Sequence, residues 1–254
     1  MPNVNTRTDG PFAWFEALPP LTKLYMSAIF FTTVAVQIGL VSPYYLALIW
    51  DNVLKKFEIW RLVTCFLFMG SFSFPWLMLM MLLYNHGVAL EAGIFAHRSA
   101  DYAWVYVFSA IVMLGLSLLG HAGVTPEVVP PFLTVILVFS LLHVWSRHFK
   151  EQSVSVWGLV KMQGFYLPFA MLALHLMLGQ SIMEPAIGIL VGHLQYFFSS
   201  IYPRAGGSNL LGTPQWLINA VARSGIGTVN PAEVTAPMGA AARAFQGRGR
   251  RLAD

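Results

Sequence analysis

The side chains able to do chemistry are few, and their spacing argues against most kinds of it. Among 254 residues there are seven histidines, one cysteine and eleven acidic residues. A helical zinc site needs histidines one turn apart on a shared face. His143 and His148 are five apart and diverge around a helix, and no HExxH stretch occurs, so no metal and no cofactor are expected. Serine hydrolysis needs a hydroxyl on a glycine-lined turn with a base in reach. Ser140 stands in Val-Phe-Ser-Leu-Leu without a flanking glycine, which suits a helix-packing hydroxyl better than a nucleophile. The lone Cys65 lies in an apolar run, where an intramolecular disulfide is impossible and a buried, inert thiol is expected.

Other polar groups are isolated within apolar surroundings. Asn85, His86, His193 and Gln195, with Gln37, His143 and His175, fall at or near membrane depth in the reading below. Such groups face a protein interior or a wet cavity, because lipid offers them no partner. Each on its own is also accounted for by one bond to a backbone carbonyl. Together they predict a polar, partly hydrated membrane interior at Asn85, His86, His193 and Gln195. Trp60-Arg61 joins an indole, which prefers the interface, to a guanidinium that must reach water, headgroups or a cage of carbonyls. That pair reads either as a generic interface anchor or as a pin for the loop that carries it. Gly188 and Gly192, one turn apart, strip one helix face of side chains so that a neighbouring helix can approach closely. Packing within the chain is expected there in preference to dimerisation.

The elements that position these residues follow from composition. Hydrophobic residues make up 57% of the chain and charged residues only 10%, and the mean hydropathy is +0.64. A water-soluble surface cannot be built from that, and a helix crosses the hydrocarbon with about 20 apolar residues. Apolar stretches run from Leu24 to Val41, Leu62 to Leu90, Tyr102 to Leu119, Val128 to Ser146, Phe165 to Met183 and Ala186 to Tyr202. Six spans and an all-α fold are predicted. The second stretch would be roughly 43 Å long as one helix, so Gly70 and Pro75 are expected to divide it, with the span proper starting near Phe74.

Between the first two stretches, Ser42-Pro43 reads as an N-cap and first helical residue. Leu46, Ile49, Trp50, Val53, Leu54 and Phe57 then form an apolar stripe opposite Asp51, Asn52, Lys55, Lys56 and Glu58. This predicts one amphipathic helix, either lying in the outer interface or packed as a lid on the spans. Lys and Arg concentrate on the leader, the loops around Arg98 and Arg147, and the tail, with few on the opposite loops. That asymmetry puts both termini on the cytosolic side. Three regions result: a leader (1–20), a membrane domain (21–203) and a mostly disordered tail (204–254). Thr213-Pro214 starts one expected helical island in the tail. The end of the tail, Phe245-x-Gly247-x-Gly249-x-x-Leu252, suits either an extended peptide docking by two apolar anchors or a basic segment drawn to anionic lipid.

Several blocks, in order, resemble the derlins, inactive rhomboid-like proteins of the endoplasmic reticulum. They are Ile59-Trp60-Arg61; Leu90-Glu91-Ala-Gly93-Ile-Phe95 with Arg98, Ala100, Asp101 and Tyr102; Val154-Ser155-Val-Trp157 with Tyr166-Leu167-Pro168; Gly188-Ile-Leu-Val-Gly192-His193 with Tyr196-Phe197-Phe198 and Tyr202-Pro203; and Thr213-Pro214 with Leu217. The resemblance implies a rhomboid-like bundle of six transmembrane helices with an amphipathic first lumenal loop, multi-pass in the endoplasmic reticulum membrane. It implies a pseudoprotease serving degradation of misfolded proteins by retrotranslocation to the cytosol. Phe245, Gly247, Gly249 and Leu252 then resemble the tail motif that recruits the hexameric AAA ATPase valosin-containing protein. An ER ubiquitin ligase complex, misfolded clients, membrane lipids and a homo- or hetero-oligomer are the other implied partners, and nucleic acid is not among them. The competing readings are an active intramembrane serine protease using Ser140 and His193, and a small-solute channel or transporter.

Overall fold

The computed structural model of the chain describes residues 13–124, 129–156, 160–206 and 211–227. Each apolar stretch forms a helix. The first, α1 (Pro20–Gln37), begins at Pro19-Pro20 with no capping side chain and buries Thr22, Ile29 and Thr33. The long second stretch divides where its glycine and proline predict. Gly70 takes φ +100°, the Ser73 hydroxyl accepts the Trp76 N–H, and Pro75 occupies the first turn of the helix that starts at Phe74.

Between these helices lies a loop holding a one-turn helix (Pro43–Leu46), α2 (Trp50–Lys56) and a further turn (Arg61–Thr64). The second stretch then continues as α3 (Phe74–Ala89), prolonged by a π turn over Leu90–Ile94. Next come α4 (Ser99–His121), α5 (Thr134–His148), α6 (Leu167–Met177), α7 (Met183–Tyr196), itself prolonged by a π turn over Phe197–Ile201, and α8 (Gln215–Ser224). Among the described residues two helices are long and apolar enough to cross a membrane unaided, Phe74–Ile94 and Ser99–His121.

The centre of the bundle is α5, in which every residue from Thr134 to Ser146 is buried. It packs on α3, α4, α6 and α7 and most closely on α7. At one end, its start is tied to the turns after Arg61, with the Leu133 N–H donating to Cys65 O (2.8 Å) and the Thr134 hydroxyl to Phe68 O (2.9 Å). The ends of α3, α5 and α7 and the starts of α1 and α4 meet at the opposite end.

Two expectations need correction. The loop helix is not continuous. Ser42 does cap it, with Tyr44 N donating to its hydroxyl (3.4 Å). The chain then extends at Ala47, where the Leu48 N–H donates to Pro131 O (2.9 Å). A backbone bond to a distant loop outcompetes the next helical one. The apolar stripe splits accordingly: Leu46 and Val53 are buried, while Leu54 and Phe57 are exposed. The fold is also not purely α-helical. Strands β1 (Ser153–Val156) and β2 (Val160–Gln163) form an antiparallel hairpin pairing Ser153 with Gln163 and Val154 with Met162. Alternation over Val154, Val156, Val160 and Met162 gives the strands their period of two, and Val154 and Met162 rest on the core.

Candidate functional site

The loop end holds a fully buried cation. Trp60 leaves half its surface exposed, and the next residue, Arg61, is 0% exposed. Its Nε donates to Glu58 Oε2 (2.5 Å), and one Nη donates to the carbonyls of Tyr44 (2.5 Å) and Ala47 (2.7 Å). The guanidinium lies 5.2 Å from the centre of the Tyr44 ring. This is a carbonyl cage closed by one carboxylate, and it gathers the three short helical pieces around a single charge. The hydrogen bond from Arg61 holds the Glu58 carboxyl below its ordinary range. Asn52 is buried despite its polarity because it donates to the same Glu58 oxygen (3.1 Å).

The opposite end holds a buried anion that sequence reasoning did not single out. Glu91, 4% exposed, is carried on the π turn that follows α3. It accepts from the Leu21 N–H (2.9 Å), the Thr22 N–H (2.7 Å) and the Thr22 hydroxyl (2.7 Å). These are first-turn donors of α1, which a helix cannot satisfy internally. A carboxylate also complements the positive end of the helix dipole. One signal was present: a helix opening on Pro-Pro with no capping side chain must find its acceptor elsewhere. Gly87 makes the approach possible, since a Cβ there would lie 3.0 Å from Thr22 Cγ2.

Gly188 and Gly192 join α7 to the central helix. A Cβ at Gly188 would sit 2.5 Å from Ile136 O, and one at Gly192 2.6 Å from Ser140 O. Both glycines therefore pack within the chain, directly on the backbone of α5.

The four polar positions separate. Gln195 is enclosed, its Oε1 accepting from the Ser109 hydroxyl (2.9 Å), which also meets Ser140 Oγ (3.3 Å). His86 is half-buried, with Nδ1 on Leu82 O (2.9 Å) and its ring edge-on to Trp145. Asn85 and His193 are exposed, which corrects the expectation that all four line an interior. The buried face of α3 runs through Met78, Leu79, Leu82, Leu83 and Gly87, so Asn85 points outward with Met81 and Tyr84. On α7 the buried face runs through Gly188, Val191, Gly192 and Gln195, which turns His193 out against the edge of the His143 ring. Ser140 and His193 therefore form no nucleophile–base pair: the hydroxyl of Ser140 is engaged with Ser109. No group of three potential metal ligands occurs among the described residues. The tail positions Phe245, Gly247, Gly249 and Leu252, and Trp157, lie outside the described residues.

The chain is similar throughout to a set of known proteins. A family model described as Der1-like matches residues 18–215. Derlin-1 of Arabidopsis thaliana is 40% identical over 271 residues, covering 97% of this chain and all of that protein. Derlin-1 of Oryza sativa subsp. japonica is 41% identical over 251 residues with the same coverage. Derlin-2 of the same rice is 32% identical over 235 residues, covering 91% of this chain and 93% of that protein.

Proposed function

The chain belongs to the Der1-like family, and from that membership we propose that it is a non-catalytic component of endoplasmic-reticulum-associated degradation that eases misfolded proteins across the bilayer to the cytosol. In this reading α1, α3, α4, α5, α6 and α7 are six spans of a rhomboid-like bundle, with both termini cytosolic and the Arg61 loop lumenal. The observation that carries the mechanism is the unbroken burial of α5 from Thr134 to Ser146. A bundle whose axis is filled by a helix offers no passage along that axis, so clients pass at its flank.

Two features support a flank path. As a helix α5 is about 22 Å long and α6 about 16 Å, short of the ~30 Å hydrocarbon thickness, so the surrounding bilayer thins to match them. On α3, Asn85 places an amide on an outward face that is otherwise mostly apolar. Both lower the cost of moving hydrogen-bonding backbone through lipid. Arg61 holds the lumenal loop against the spans. The tail motif at Phe245, Gly247, Gly249 and Leu252 recruits the hexameric AAA ATPase (valosin-containing protein), with an ER ubiquitin ligase complex acting on the emerging client.

The test is binding of purified ATPase to the full-length protein in nanodiscs, beside a Phe245→Ala/Leu252→Ala variant, with clearance of a misfolded client followed in cells. The expected result is binding and clearance lost together in the variant. Clearance that persists without binding would remove ATPase recruitment from the mechanism.

A further inference from the structure

At the end of the bundle opposite the arginine cage, the described residues line an open-sided cavity of about 390 Å³. That falls in the size range of small-ligand sites. Its polar wall is built from Arg98 and Asp101 at the start of α4, His148 at the end of α5, and Gln195, Ser199 and Ser200 at the end of α7. Val105, Val144 and Ile218 give it an apolar side.

The hydrogen-bonding capacity of this wall is one-sided. Its carboxylate is already spent. One oxygen of Asp101 pairs with Arg98 (2.5 Å) and the other accepts from the Thr213 hydroxyl. Its donors are not. Gln195 is 96% buried (4% exposed), and while Oε1 takes the Ser109 proton, its Nε2 makes no hydrogen bond among the described residues. Arg98 uses one nitrogen on Asp101 and keeps a side chain that is 55% exposed, with further donors open. Among the described residues the hydroxyls of Ser199 and Ser200 meet only each other, at 3.4 Å. His148 uses Nδ1 on Val144 O (2.9 Å), leaving its other nitrogen open. Gln195 lines the cavity with that amide N–H₂ unbonded among the described residues, and a guanidinium beside hydroxyls suits an acceptor-rich anion. Arg147 near the end of α5, Lys161 on β2 and Arg204 just past α7 lie toward the same end and raise the local positive potential.

We propose that this cavity is a phosphodiester site, with Gln195 Nε2, Arg98 and the Ser199 and Ser200 hydroxyls donating to phosphate oxygens and the apolar side receiving the carbon skeleton attached to them. Two sources carry that chemistry: the headgroup of a phospholipid in the adjoining leaflet, or a soluble phosphodiester. The site does not depend on a role in degradation. A binding measurement therefore fails or succeeds separately from the clearance and ATPase experiment.

The experiment uses full-length protein in detergent micelles and native mass spectrometry. Dioleoylphosphatidylglycerol is titrated in one arm and its deacylated headgroup, glycerophosphoglycerol, in the other. Arg98→Gln and the double variant Ser199→Ala/Ser200→Ala are compared with Lys161→Gln, a charge-matched change on the exposed edge of the hairpin at the same end. The expected result is saturable binding of one ligand, weakened roughly tenfold in each cavity variant, as for loss of one charge-assisted hydrogen bond, and unchanged in Lys161→Gln. The double variant leaves the Arg98–Asp101 pair intact, so its loss of binding is not a loss of fold. Binding of the lipid alone assigns the leaflet as the source, and binding of the headgroup as well assigns recognition to the phosphodiester itself. No saturable binding in either arm, or equal weakening in Lys161→Gln, overturns the proposal.

Discussion

The two ends of the bundle each bury one charge, and they do it differently. At the loop end Arg61 is held by two backbone carbonyls and by Glu58, a carboxylate that keeps part of its surface in solvent. At the other end Glu91 is held by two backbone N–H groups and a hydroxyl, all from the first turn of α1, with Thr22 itself 0% exposed. The cation organises a loop, whose released carbonyls can turn to water. The anion anchors the first turn of α1, where the released donors of the buried Thr22 find nothing. Equal burial of the two charges therefore does not mean equal consequence: the cost of losing either is set by what its partners can do afterwards.

The largest effect is expected at Glu91. Glu91→Ala strands three donors, the two on Thr22 fully buried and the Leu21 N–H partly so, at about 1–3 kcal/mol each when unsatisfied, for a total of about 4 kcal/mol. Thermal unfolding of the purified protein, followed by size-exclusion chromatography, checks it, and Thr22→Val should lose only a fraction because it removes one donor of the three. Arg61→Ala comes next, at about 2 kcal/mol, because the released partners, Glu58 and the Tyr44 and Ala47 carbonyls, lie in a loop where they can turn to water. Arg61→Lys should recover little, since an ammonium cannot reproduce the fork that reaches Glu58 and two carbonyls at once. If Arg61→Ala proved as damaging as Glu91→Ala, the contrast between the ends would collapse.

What could be read from the chain, and what could not, follows the same division between local and distant partners. Pro75 and Gly70 act on their own backbone, so the start of α3 near Phe74 was legible. Gly188 and Gly192 were legible as a close-packing face, because absence of side chains on one side of a helix has one use. Arg61 announced its need for partners by standing next to Trp60 at an apolar boundary, though nothing in the sequence named the carbonyls of Tyr44 and Ala47. Glu91 was hidden because its donors are 69 and 70 residues away, and the loop helix broke because Leu48 bonds to Pro131, more remote still. Asn85 failed for another reason. A helix that is apolar on all sides carries no directional pattern, so its buried face is chosen by the neighbours it meets and not by its own periodicity.

The smallest effect is also the one that separates the two charges most cleanly, because only the cation's carboxylate partner is open to solvent. The hydrogen bond from Arg61 lowers the Glu58 carboxyl below its ordinary range. A group depressed in the folded state stabilises the fold above its unfolded value, and that contribution is lost as pH falls through the folded value. Glu58→Gln keeps an acceptor for Arg61 but cannot titrate. At neutral pH the native protein should therefore melt a few degrees above the variant. The gap should begin to close below about pH 4, where an ordinary glutamate takes up its proton, and should vanish under more acidic conditions. Melting curves of the two proteins, taken side by side from neutral pH to about pH 3, read it directly. Because both keep the acid-sensitive carboxylates elsewhere, those cancel in the difference. A gap that persists unchanged through the acid range would mean that Glu58 serves Arg61 by shape and hydrogen bonding alone, and that the cage is held by its carbonyls.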